Sequence, residues 1–214
     1  MSTRLVETMP FGHLTIAYDG SVLSPRPWTV RQSELAVEVG ARSPVGPVLE
    51  LFAGAGQIGL LAASQMQRDL VQVDVNPDAC AFASANAQAA RLDVAVDVRC
   101  GAPESVLDET ERFPLIIADP PWVPSAEIAR FPKDPALAID GGADGLDLVR
   151  HGLDVIRRHL AAGGHAVVQV GPDEQADTLV DEVVAGGGLD AVATERYERG
   201  SLVVIRRSPS VERG

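Results

Sequence analysis

Apolar residues fall along this chain in short blocks, each closed by glycine, proline or an acid. Residues 48–52, 70–75, 94–100, 115–118 and 165–170 are blocks of strand length, rich in Val, Leu and Ile. Between them lie segments of good helix formers, at 59–67, 78–91, 145–160 and 173–185. Asn76 or Asp78 stands at the start of the second, and Gly163-Gly164 closes the third. Strand alternating with helix predicts a parallel sheet with helices on both faces, an α/β fold. Residues 191–197 and 201–206 form a last pair of strands around Arg199-Gly200. So short a connection forces an antiparallel pair, because a parallel pair needs a long crossover.

Before the alternation begins, residues 12–22 alternate polar and apolar around Asp19-Gly20, which predicts a hairpin. A helix capped by Thr29 or Ser33 then runs to about residue 42, and Pro44 and Pro47 end it. The expected organisation is one domain over residues 1–214. Its hairpin and helix, residues 1–45, cover a site on a core of residues 46–214.

Composition narrows the partners. The chain has 214 residues, 46% hydrophobic and 22% charged, with a formal charge of -12. That charge argues against a nucleic-acid surface and favours small molecules or protein segments. Cys80 and Cys100 lie in no CxxC or Cys/His cluster and read as reduced thiols. No leader opens the chain and no apolar run approaches the ~18 residues of a membrane helix, so the expected location is cytoplasmic. His13, His151, His159 and His165 have no metal-ligand spacing, and no metal is expected. His13 is the one placed to reach a site from the hairpin. Asp140, Asp144 and Asp147 read as caps and turn residues.

Two motifs carry chemistry. "LELFAGAGQIGLLAA" places Gly54, Gly56 and Gly59 between a strand and a helix, and Asp74 ends the next strand. Glycines let the backbone approach a ligand, and the acid suits ribose hydroxyls. Glu50 beside the loop would repel a pyrophosphate and would suit the ammonium of S-adenosylmethionine (SAM). With the C-terminal hairpin, that favours SAM over NAD and leaves an NAD-dependent oxidoreductase as the alternative. The second motif is Asp119-Pro120-Pro121-Trp122, closing the fourth strand on the same rim. Two prolines stiffen the corner. The Asp119 side chain and the Pro120 carbonyl are two acceptors for a planar nitrogen's N–H groups, and Trp122 is a stacking face. That pattern suits methyl transfer to nitrogen.

In this order, "FAGAG", "VDV" and "DPPW" resemble class I SAM-dependent amino-methyltransferases. "VLSPRPWT", "ALAIDGGADGLDLVRHGL" and "GGHAVVQVGPDEQ" resemble the "PRPET", "GG-x-DGLD" and "GG-x-L-x-x-E-x-G-x-x-Q" segments of HemK/PrmC-type protein-glutamine N-methyltransferases. The resemblance implies a Rossmann-like class I methyltransferase fold with a mostly parallel seven-stranded sheet. It implies SAM as cofactor and S-adenosylhomocysteine as product. It also implies cofactor-binding roles for Pro27, Thr29, Glu50, Phe52, Ala53, Gly54, Gly56, Asp74, Val75, Gly101, Ala102 and Asp119. Asp119, Pro120 and Trp122 take the catalytic corner, with Trp28, Pro121, Trp122 and His13 toward the substrate.

The corner here has Asp119 and Trp122 where the family usually has NPPY, and Trp28 replaces the glutamate of "PRPET". An ionised aspartate only accepts hydrogen bonds, which suits an amine or exocyclic amino group better than a carboxamide. Only about 25 residues precede the PRP segment, where family members carry a release-factor-binding domain. The expected acceptor is a nitrogen of a small molecule or a protein side chain. A nucleic-acid base and a non-catalytic SAM-binding subunit are the alternatives.

Overall fold

The alternation of the sequence folds into one sheet, with a small ribbon beside it. The computed structural model describes residues 5–208. Strands β1 (Glu7–Phe11) and β2 (Leu14–Tyr18) form the ribbon, and α1 (Val30–Gly40) follows. Then come β3 (Val48–Leu51), α2 (Gln57–Met66), β4 (Leu70–Asp74), α3 (Pro77–Ala90), β5 (Val96–Cys100) and the short α4 (Pro103–Val106). The chain continues through β6 (Phe113–Ala118), the short α5 (Ala136–Ile139), α6 (Asp147–His159) and β7 (Leu160–Val170). It ends in α7 (Asp173–Ala185), β8 (Leu189–Tyr197) and β9 (Gly200–Arg207).

The sheet has seven strands in the order β5-β4-β3-β6-β7-β9-β8. β3 to β7 are parallel, and β9 runs antiparallel to both β7 and β8. Continuous apolar strands are explained by burial on both faces. Leu49, Leu51, Ile116 and Val168 enter the core beneath α6 and α7. Their neighbours Val48, Leu115, Ile117 and Val167 enter the core beneath α1 and α2. The order changes direction at β3 and β6, so the loops after these two strands open beside each other. This is the switch point where α/β sheets bind ligands.

Three sequence expectations are corrected. The first hairpin turns at Gly12-His13, not at Asp19-Gly20. Gly12 has φ 58°, and a Cβ there would lie 2.7 Å from Leu61. Asp19 instead accepts from the Ser21 N–H at 2.8 Å, a side-chain turn that ends β2. Gly163-Gly164 lies within β7 and does not close α6, which passes directly into the strand. Pairing jumps from Phe113–Leu160 to Leu115–His165, so residues 161–164 bulge opposite Pro114. A Cβ on Gly164 would stand 2.8 Å from the Pro114 carbonyl oxygen. The last turn is Glu198-Arg199, since Gly200 already pairs with Tyr197.

The ribbon does not join the main sheet. Asn86 of α3 holds it instead, accepting from the Ala17 N–H at 2.8 Å and donating to the Ala17 carbonyl at 2.9 Å. Cys80 and Cys100 are free thiols. No helix among the described residues is long and apolar enough to cross a membrane.

Candidate functional site

The loop after β3 needs three unusual backbone conformations. Phe52, Gly54 and Gly56 have φ 58°, 54° and 83°. Glycine adopts these freely, whereas Phe52 must be held there. Its ring packs over Gly152 of α6, where a Cβ would lie 3.2 Å away. Glu50 braces the loop from below. Its carboxylate accepts from the Gly59 N–H at 2.8 Å and from Gln72 Nε2 at 2.6 Å. Burial pushes the Glu50 carboxyl up to about 7, against those two hydrogen bonds. Glu50 is buried and belongs to neither cavity described below, so the expected contact with an ammonium gives way to a bracing role. The third glycine is required by the same contact: a Cβ on Gly59 would lie 2.4 Å from Glu50 Oε2.

Asp74 ends β4 beside the loop. Its carboxylate accepts from the Gly54 N–H and from the Asn76 N–H, both at 2.8 Å. Burial raises the carboxyl above its usual range, while the backbone donors Asn76, Gly54 and Val75 oppose that shift. A first cavity of about 240 Å³ opens here. Phe52, Ala53, Gly54, Asp74, Val75 and Gly101 line it. Gln57, Leu148 and His151, none of them expected at a site, line it as well. His151 lies 3.5 Å from Glu104. Gln57 opens α2, and its Oε1 is shielded from solvent without a hydrogen-bond partner among the described residues.

The corner after β6 separates this cavity from a second, larger one of about 580 Å³. Asp119, Pro121, Leu23 and Ala138 line both. Burial pushes the Asp119 carboxyl up to about 7, and no donor among the described residues bonds to it. Trp122 is fixed from behind. Gln175 of α7 donates to the Trp122 carbonyl and to the Asp144 carbonyl, each at 3.0 Å, and accepts from the Gly171 N–H at 2.8 Å. Three glycines make room for this corner. A Cβ would lie 2.6 Å from the Trp122 ring at Gly171, 2.3 Å from the Trp122 carbonyl at Gly145, and 2.8 Å from the Pro121 carbonyl at Gly141. The glycines of "IDGGADGLD" and "VGPDEQ" are therefore the bed on which the proline corner lies.

Pro120, Trp122, Trp28 and Thr29 line the second cavity. Thr29 thus lies on the opposite side of the corner from the cofactor role expected of it. Its hydroxyl donates to the Arg26 carbonyl at 2.8 Å and starts the turn into α1. Pro27, Gly56 and Ala102 line neither cavity; Gly56 instead opens α2, with its Cα against Gln72. His13 also lines neither. It sits at the ribbon turn, 3.2 Å from the Ser64 hydroxyl of α2, and does not reach the site.

Trp28 lies between two guanidinium groups, with Arg26 5.7 Å and Arg199 4.8 Å from its ring centre. Arg26 in turn grips Asp134 with one nitrogen 2.6 Å from each carboxylate oxygen. Gln169, Lys133 and Arg199 line the second cavity too, a place the sequence does not show, because only the fold brings the end of β7 and the β8–β9 turn to Trp28.

Residues 23–132 match the family described as conserved hypothetical protein 95. The chain is 32% identical over 211 residues to a ribosomal protein uL3 glutamine methyltransferase of Burkholderia pseudomallei, covering 88% of this chain and 67% of that protein. It is 32% identical over 157 residues to a release factor glutamine methyltransferase of Koribacter versatilis, covering 71% of this chain and 55% of that protein. Among solved structures it is similar to a T. thermophilus 16S rRNA N2 G1207 methyltransferase in complex with AdoMet and guanosine. The TM-score is 0.68 at 17% identity, over 97% of this chain and 51% of that one. That likeness is one of fold.

Proposed function

The chain belongs to the HemK/PrmC-type family of glutamine methyltransferases, and from that premise we propose that it methylates a side-chain amide nitrogen of a protein glutamine, using SAM. The observation that carries this reading is the shared wall: Asp119 and Pro121 line both cavities, so a donor in one and an acceptor in the other would meet at the corner.

The first cavity has features that suit SAM. A Cβ on Gly54 would point into open space, so the loop leaves room for a ligand against its backbone. Gln57 Oε1 has no partner among the described residues and is available to a ligand donor such as an ammonium. Asp74 would hold the ribose, with Gly54 and Asn76 fixing its carboxylate. When bound, SAM supplies an electrophilic methyl group on a sulfonium.

The chain's own residues supply the alignment. An acceptor nitrogen with two N–H groups would donate to Asp119 and to the Pro120 carbonyl, which aims its lone pair at the first cavity. Trp122 would stack on the planar group. Asp119, ionised above about pH 7, would also draw off the proton that the nitrogen releases. Asparagine in the usual family corner offers an amide oxygen at this position, so an acceptor oxygen is common to both residues.

The test is to incubate the purified chain with SAM and glutamine-containing fragments of a release factor and of uL3, and to map any added methyl by mass spectrometry. Methyl on a glutamine side chain is the expected result. Methyl on lysine, on a terminus or on free amines only would overturn the glutamine reading.

A further inference from the structure

The second cavity does not end at Trp28. Trp28, Gln169 and Arg199 belong both to it and to an adjoining opening of about 330 Å³ along the β8–β9 turn. The two form one path from Asp119 to the turn, longer than a single side chain needs.

Three polar groups on this path have no hydrogen-bond or ion-pair partner among the described residues. Gln169, near the C-terminal end of β7, is 7% exposed, and its carboxamide hydrogen-bonds to nothing among the described residues. The residue lines both openings, where its amide is free to bond a ligand. Arg199 lies over the Trp28 ring, but no carboxylate among the described residues pairs with it. Lys133, the chain's single lysine, has no ion pair among the described residues. The other arginine on Trp28, Arg26, is neutralised by Asp134 at 2.6 Å. In a chain of formal charge -12, two unpaired cations on one cavity are not a surplus of positive charge. Glu198 lines only the outer opening, Lys133 only the inner cavity, and Arg199 both.

We propose that this path is a subsite for an extended peptide carrying an acidic residue next to the methyl acceptor, its carboxylate facing Arg199 and Lys133 and its backbone hydrogen-bonded by Gln169. The proposal rests on the glutamine reading above and names the sequence around that glutamine. A nucleic-acid strand fits less well, because it calls for a run of phosphate contacts that two cations and a net negative chain do not offer.

The full chain, with SAM, is given synthetic peptides that differ only in the residue flanking a central glutamine: Asp, Asn or Lys. A single-stranded RNA oligonucleotide is run beside them. The Asp peptide is expected to exceed the Lys peptide by about tenfold or more in kcat/KM, mostly through KM. Arg199→Gln and Lys133→Gln are expected to bring the Asp-to-Asn ratio toward one, with SAM affinity reporting that each variant is folded. Methylated peptides with no flank preference, or a preference that survives both variants, would overturn the subsite and leave the glutamine reading standing. No methylation of any peptide, whether or not the RNA is methylated, would overturn both.

Discussion

Gln175 donates a hydrogen bond to the backbone carbonyl of Trp122, 53 residues earlier in the chain, at 3.0 Å. With its second bond to the Asp144 carbonyl, one side chain ties α7 to the proline corner and to the glycine loop before α6. The corner is thus stiffened twice, by its prolines and by a clamp from outside the motif.

The clamp predicts a specific kinetic defect. Gln175→Leu removes three hydrogen bonds and leaves two carbonyls and the Gly171 N–H without their partner, at a stability cost of about 1–3 kcal/mol for each group left unsatisfied. A corner displaced by a fraction of an ångström aligns the acceptor badly, so kcat should fall by about 10- to 100-fold. SAM affinity should stay within about twofold, since Gln175 does not line the first cavity. An equal loss of affinity and kcat, measured by calorimetry and steady-state kinetics, would show that Gln175 supports the whole domain and not the corner.

Asp119 should act through its oxygen. Asp119→Ala is expected to lower kcat by about 100-fold or more with little change in SAM affinity. Asp119→Asn keeps an acceptor and should retain much more activity. In the native enzyme kcat should rise with pH through about 7, as the carboxyl loses its proton. In Asp119→Asn that rise should flatten. A native profile without inflection between pH 6 and 8 would remove Asp119 from the titrating step.

The same carboxyl sets a stability prediction of opposite sense. Burial raises Asp119 from 3.8 to about 7, so between these values the folded chain binds a proton that the unfolded chain does not. Stability from this group therefore falls as pH rises from about 4 to 7, and the penalty is complete above 7. Asp119→Asn removes the penalty. Its gain in Tm over the native chain should be small near pH 4, grow to about pH 7 and then level off, at about 2–4 °C per kcal/mol relieved. A constant difference across pH, read by thermal melts, would mean that the carboxyl is not perturbed.

Asp74 carries the cofactor prediction. Asp74→Ala should weaken SAM binding by about 10- to 100-fold, both by losing the ribose acceptor and by freeing the Gly54 N–H that it holds. Titration calorimetry with SAM and S-adenosylhomocysteine measures this directly. Unchanged affinity for both ligands removes Asp74 from the ribose site.

The centre of the sheet was legible because β3, β4 and β6 are buried on both faces, so each is rich in Val, Leu and Ile, whereas β5 and β8 at the edges are partly exposed and carry a weaker pattern. Local turn chemistry was a poorer guide. Asp19-Gly20 is the stronger turn signal, yet Gly12 turns the ribbon, because only there does the backbone pass close over Leu61. Glu50 shows the limit at the site. Its position beside the glycines was evident, but its inward direction depends on Gln72 from the neighbouring strand. Gln57 and Gln169 stand inside motifs but nothing local marks them as cavity residues, and their places, like that of Arg199, follow from which strands the fold sets side by side.

Asn86 donates not only to Ala17 of the ribbon but also, at 2.9 Å, to the Ala55 carbonyl within the glycine loop. One buried amide therefore sets the register of an N-terminal element against the loop that opens α2. A shortened version of this protein that began at the first sheet strand would keep every motif glycine. It would nonetheless strip two of the three backbone groups that hold Asn86 in place, and Val22 and Leu23 would go from the first cavity's wall. The smallest unit that keeps the first cavity in shape is thus longer than the sheet that bears it.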